Sequence, residues 1–330
     1  MTRSRTSDRS KHRLVAELLK VRKQDRDPDW LKQMLQWAVQ LEFTTIPLYL
    51  CAYWSIKTAG YVSATIYEIV KEEMGHFGLA CNLLTTIGET PKINSSDVVP
   101  KYPGPLPGGI QPKLKVVLRG LKKDKIPESF MQIEYPQNGP ITTLLIDYPT
   151  IGDFYDAILG ELMNQPDATF TGARQLRSGS VGVVPITTKA QAIAAIQKIK
   201  IQGEGTTSDP WDQGVAGDLA HYYRFGEIYF GKKLMPKDGG WKYEGDDVPF
   251  PDVYDVPDVP DGGYARSDDF DRLYAAMLGK LQGAWENGNQ GLLSQAISAM
   301  YGISEPAVEL MNTPLPSGTG NHCPDFRLVS

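Results

Sequence analysis

Apolar positions recur every three or four residues over several stretches of the chain, the period of a helix with one buried face. From about Asp29 to Lys57 the stripe is Leu31, Leu35, Ala38, Glu42, Thr45 and Tyr49, and Asp29, after Pro28, is a candidate cap. Pro47 removes the backbone donor that would meet the Phe43 carbonyl, so a kink or irregular turn is expected soon after Glu42. From about Val62 to Ile87 a second stripe runs Ile66, Ile69, Glu73, His76, Ala80, Leu83 and Ile87, alternating steps of three and four, and Gly88 closes it. The short Gly60-Tyr61 connection makes the two helices antiparallel neighbours.

The pattern then breaks. Residues from about 89 to 150 include a Pro/Gly cluster, Pro100 to Gly109, that cannot be regular structure, and a turn of helix is expected around Glu128 to Glu134. So long a connection lets the chain cross a bundle before the next hairpin. A third helix is expected from about Ile151 to Asn164, with the stripe Ile151, Phe154, Ile158 and Glu161. A fourth runs from about Thr188 to Gln202 and is interrupted from Gly203 to Gly214. It resumes from about Val215 to Lys232 with Asp218, His221, Phe225 and Ile228 on one face. Residues 235–268, rich in Asp, Pro, Gly and Tyr, are expected to wrap over the surface. Two more helices, about 269–286 and 289–301, precede a loop-like end. The fold class is all-α: a four-helix bundle with a long crossover, additional C-terminal helices and extended Pro/Gly-rich loops. Three regions follow: a basic, disordered tail over 1–28, the bundle with its crossover over 29–234, and the wrap with C-terminal helices over 235–330.

Composition narrows the function classes. At 330 residues and 41% hydrophobic, the chain can bury a sizeable core. No apolar run reaches the roughly 18 residues of a membrane span. A net charge of −5 argues against a nucleic-acid partner. The cysteines, Cys51, Cys81 and Cys323, are odd in number and far apart, which suits a reducing, cytoplasmic setting rather than a disulfide framework. The basic N-terminus lacks the apolar segment of a secretory signal. The run Arg119 to Lys125 reads as a solvated face.

The chemistry lies on the stripes. Glu73 and His76 share one helix face at a spacing of three, on a seam that is otherwise apolar. Burying a carboxylate and an imidazole without partners costs several kcal/mol, and a metal ion satisfies both. Glu42 stands in the same situation on the first helix. A buried glutamate facing a Glu/His pair across a helical hairpin is half of a carboxylate-bridged di-metal site. The second half belongs after the crossover. Its candidates are Glu161, with Glu134 and Asp153 as rivals, and His221 with Glu204. Asp218, three residues before His221, is the alternative to Glu204 and is short enough to act by orienting His221 instead. Tyr49, Tyr53, Trp54, Tyr155, Tyr222 and Tyr223 flank these positions and read as core packing.

The blocks Leu41 to Leu50, Glu72 to Phe77, Gln202 to Gly205 and His221 to Phe225 resemble the ferritin-like family named for iminophenyl-pyruvate dimer synthase, as do Phe270 to Tyr274 and Ala299 to Gly302. The resemblance implies a ferritin-like bundle with Glu42, Glu73, His76, Glu204 and His221 at metal-ligand positions. Glu161 lies outside the matching blocks. What it implies for activity is two metal ions, iron in the first place with manganese or zinc as substitutes. They would act with O2 on a small organic substrate, and the specific version is oxidative coupling of amino-acid-derived imines in secondary metabolism. Metal or peroxide handling, or a non-catalytic binding role, are the alternatives. Pairing through a helix face as a homodimer is the expected assembly.

Overall fold

The computed structural model describes residues 13–136, 150–204, 210, 219–264 and 268–329, with the side chains of Glu204 and Asp268 outside the described set. Its frame is helical. Helix α1 (Val15–Leu19) precedes the long pair α2 (Pro28–Trp54) and α3 (Tyr61–Thr86). The crossover holds a two-residue ladder, β1 (Gly104–Pro105) with β2 (Lys115–Val116), and the short helix α4 (Phe130–Ile133). Helices α5 (Ile151–Asn164), α6 (Lys189–Glu204) and α7 (His221–Phe230) complete the bundle. After a hairpin, β3 (Lys232–Lys237) with β4 (Gly240–Asp247), come α8 (Asp268–Asn287), α9 (Gln290–Gly302) and α10 (Ser304–Met311). Helix α2 packs along α3, and α5 packs along α6. No helix among the described residues is long and apolar enough to cross a membrane.

Local chemistry explains the boundaries. Asp27, not Asp29, caps α2: its carboxylate accepts from the Trp30 N–H at 2.8 Å, and Pro28 takes the first helical position, where no donor is needed. Helix α2 runs on through Pro47 instead of breaking there. Its flanks are buried on both sides, and packing outweighs the one lost backbone bond. Thr150 caps α5 through the Asp153 N–H, and Asp153 returns a bond to the Thr150 N–H. Gly88 and Gly231 adopt left-handed φ just past α3 and α7.

Several expectations give way. Within the region expected to be a disordered tail, residues 13–28 pack on the bundle: Val15 and Leu18 are fully buried, and Trp30 and Trp37 donate to the Leu18 and Arg13 carbonyls at 2.9 Å. The wrap contains a true hairpin. Asp238 and Gly239 both have positive φ, the two-residue turn that suits the twist of paired strands. The rest of the wrap is fastened across the bundle end, with Tyr254 donating to Ser55 O and Val259 to Leu118 O. Arg119 is not solvated: it is 6% exposed and pairs with Asp258 at 3.0 Å, tying crossover to wrap. The end of the chain returns to α2, where the free thiols of Cys323 and Cys51 lie 3.4 Å apart.

Candidate metal centre

Five buried side chains converge between α2, α3, α4 and α7. Glu42 comes from the middle of α2, and Glu73 and His76 from α3. Glu134 is the residue that ends α4, and His221 is the first residue of α7. Their exposures, 5% for Glu42 and Glu134, 3% for Glu73, 1% for His76 and 0% for His221, leave no role for solvent in balancing their charge.

The group divides into two sets. In Glu42–Glu73–His76 and in Glu73–Glu134–His221, one ligand atom from each residue lies within 4.8 Å of the others. Glu73 belongs to both. His76 Nδ1 faces Glu42 Oε2 and Glu73 Oε1, each at 3.4 Å. His221 Nδ1 faces Glu73 Oε1 at 2.9 Å and Glu134 Oε1 at 3.7 Å. Neither Nδ1 has a hydrogen-bond partner of acceptable geometry. The opposite nitrogens are engaged: His76 Nε2 with Gln202 Oε1 and His221 Nε2 with Glu72 Oε2, both at 2.9 Å. A ring that donates from Nε2 and gives up its other proton to a cation would present an Nδ1 lone pair among the carboxylates. Such buried Glu/His groups can hold a metal ion, with donors that suit iron, manganese or zinc.

The remaining carboxylate oxygens are also fixed. Tyr155 donates to Glu42 Oε1, Tyr49 donates to Glu134 Oε1 at 2.5 Å, and Thr45 donates to Glu73 Oε2 at 2.5 Å. Arg224 pairs with Glu72. Burial pushes the Glu42 carboxyl up, with the neighbouring Glu73 charge adding to it. Burial would raise Glu73 too, but His221 and His76 hold it well below the usual range. Burial opposes charge on His76, yet Glu42 and Glu73 raise it to about 10, and His221 is raised in the same sense by Glu134, Glu72 and Glu73. The two imidazoles thus counter the carboxylates with protons where a cation could stand.

Close backbone approach makes room for this. Gly75, inside the Glu73-to-His76 turn, faces the Val181 carbonyl so closely that a Cβ would collide, and Gly78 meets Val183 in the same way. Gly203 sits beside Glu134: a Cβ there would lie 3.3 Å from Glu134 Oε2.

Glu42, Glu73, His76 and His221 are brought together, and Glu161 is not. Glu161 is held by Arg26 at 3.2 Å and by Gln165 at 2.8 Å. Asp153 is spent on its cap, so the crossover glutamate in the group is Glu134. The helical stripe misled because Glu161 satisfies an arginine, whereas Glu134 sits at the end of a one-turn helix too short to show a period. The Glu204 side chain and Asp218 lie outside the described residues. Glu72 and Gln202 went unread as partners of the histidines. Their signal is adjacency: Glu72 precedes Glu73, and Gln202 ends the α6 pattern.

A model of the ferritin-like family matches residues 35–230, the span that contains all five side chains. A solved structure of a ferritin-like protein from Caulobacter vibrioides superposes with a TM-score of 0.62 at 24% identity. It covers 87% of this chain and 96% of that one, a likeness of fold. No functionally curated protein matches the sequence.

Proposed function

The chain belongs to the ferritin-like family, and from that premise we propose that it is a di-metal oxidoreductase that uses O2, with iron as the metal. One observation carries the reading. A single buried carboxylate, Glu73, is common to two groups that each end in an imidazole nitrogen with no hydrogen-bond partner. Glu42, Glu73 and His76 would hold one ion and Glu73, Glu134 and His221 the other, with Glu73 between them. Two redox-active ions would provide the electron transfer to O2 that no side chain here provides. The chain's own residues fix the ligands: Tyr155, Tyr49 and Thr45 orient the three carboxylates, and Gln202 and Glu72 orient the two rings.

The organic substrate is the finer part of the proposal. Resemblance to the iminophenyl-pyruvate dimer synthase type supports coupling of two amino-acid-derived imines, in which two C–H bonds give way to one C–C bond and O2 leaves as H2O2. A specific observation favours a second reading, the handling of metal or peroxide alone. The cavity beside the carboxylates, as the described residues line it, is about 30 Å³, which suits a diatomic and not an organic molecule. The test is metal content after anaerobic Fe(II) loading, followed by O2 uptake with and without imine. About two irons per chain with O2 uptake supports the proposal. Acceleration by imine selects coupling, and uptake indifferent to imine selects the second reading. An unchanged metal content of zero after loading sinks both.

A further inference from the structure

Two of the three cysteines meet across 272 positions of chain. Cys51 lies in α2, and Cys323 lies in the segment 313–329 that follows α10. Both are fully buried free thiols, and the Cys323 thiol donates to the Cys51 sulfur at 3.4 Å. A disulfide holds its sulfurs about 2.0 Å apart, so a closure of about 1.4 Å would join the pair. The third thiol, Cys81, is buried inside α3. None of the three takes part in the carboxylate–histidine group.

The two sulfurs stand on unequal supports. Cys51 belongs to a 27-residue helix packed along α3. The Cys323 segment holds no helix, and its strand-like pairing is limited to the bridge between Pro314 and Asn321. It is fastened at separate points. The Asn321 N–H donates to Asp255 O at 2.7 Å and the His322 N–H to Thr313 O at 3.0 Å. Arg327 grips the buried Asp271 carboxylate through its backbone N–H at 2.9 Å and its Nε at 2.8 Å. Phe326 stacks on Trp54 with ring centroids 6.0 Å apart. A segment held by a few separate contacts opens locally at lower cost than a long packed helix unwinds, so Cys323 is the sulfur that reaches solvent first. While it is docked, burial and the neighbouring Cys51 push its thiol above the ordinary range, so oxidation proceeds from the open form. Re-docking then returns that sulfur to contact with Cys51.

We propose that Cys51 and Cys323 form a peroxide-oxidised disulfide site that locks the segment 313–329 onto α2. Hydrogen peroxide transfers one oxygen to the Cys323 thiol, giving a sulfenic acid and one water. The Cys51 sulfur then attacks the Cys323 sulfur: the S–S bond forms, the S–O bond breaks, and the hydroxyl leaves with the Cys51 proton as a second water. Two thiols are oxidised by two electrons in all, and one peroxide is reduced to two waters. The site stands apart from the metal reading and from the reaction assigned to it.

The test adds hydrogen peroxide to the purified full chain, stops it with catalase, and denatures the chain in iodoacetamide, so that intact mass counts the thiols left. The untreated chain carries three. The treated chain should carry one, Cys81, with the Cys51 and Cys323 peptides joined, and dithiothreitol should restore all three. Cys81→Ala should still form the bond, and Cys51→Ala should stop at a sulfenic acid that dimedone traps on Cys323. Native proteolysis within 313–329 should slow about tenfold after oxidation, and the melting temperature should rise by about 5 °C. Melts of each variant before treatment separate a lost bond from a lost fold. Three thiols left in the treated chain, a bond to Cys81, a bond between two chains, or proteolysis indifferent to oxidation overturns the proposal.

Discussion

The two halves of the carboxylate–histidine group are built differently although they share Glu73. The His76 half draws all three side chains from the interiors of α2 and α3, helices of 27 and 26 residues packed along their lengths. The His221 half takes Glu134 from the end of a four-residue helix and His221 from the first position of a ten-residue one. The supports differ as well. His76 Nε2 meets the neutral amide of Gln202, whereas His221 Nε2 meets the carboxylate of Glu72, itself paired with Arg224. Where backbone rigidity is least, the histidine is held by charge. Order in such a site comes either from long helices or from a second ring of polar contacts, and this chain uses one for each half.

The largest expected effect tests whether the halves are separate. Glu73→Gln should abolish binding of both ions after Fe(II) loading, while Glu42→Ala and Glu134→Ala should each lose one of two. Metal analysis per folded chain gives the answer, and loss of both ions in either single-half variant would make the group one indivisible site. Next is pH. In the metal-free protein His76 is raised from 6.5 to about 10 by Glu42 and Glu73 against its burial. Its stabilisation is complete below about pH 6.5 and is lost as pH rises toward 10, because the unfolded chain gives up that proton first. The melting temperature of the metal-free protein should therefore fall between pH 7 and 10. Loading should flatten that fall, since the ion takes the proton's place.

The supports come third. Glu72→Gln should weaken one of the two ions by about 10- to 100-fold, and Gln202→Ala should weaken the other by less, because a neutral amide polarises its imidazole less than a carboxylate does. A two-step metal titration resolves them, and equal effects would erase the contrast between the halves. The smallest effects belong to the tyrosines. Tyr155→Phe and Tyr49→Phe each remove a hydrogen bond to a buried carboxylate and should cost about 1–3 kcal/mol in urea unfolding of the metal-free chain.

This contrast also governs what could be read in advance. Glu42, Glu73 and His76 interrupt apolar stripes on helices long enough to establish a period, so their burial was legible. His221 was found on a shorter stripe. Glu134 is a rival, with Asp153, to Glu161 on the regular stripe of α5, because a one-turn helix carries no periodic signal. The hairpin at β3–β4 had a local signal, Asp238-Gly239, that the surrounding Asp/Pro/Gly composition masked.

Apart from the α2 cap and the unbroken course of α2 through Pro47, the sequence by itself determined the bundle helices, the antiparallel α2–α3 pair and the ligand-bearing turn on α3. These depend on neighbours three or four positions away, whose interactions a linear pattern records. Only the tertiary structure decided that Glu134 and not Glu161 joins the group, that Glu72 and Gln202 hold the two rings, and that Arg119 is buried against the wrap. Those choices pair residues separated by 61 or more positions, as Glu73 and Glu134 are. A glutamate that meets an arginine and one that meets a histidine look alike along the chain. Which of them is left facing an unpartnered nitrogen is fixed only when the crossover has folded across the bundle.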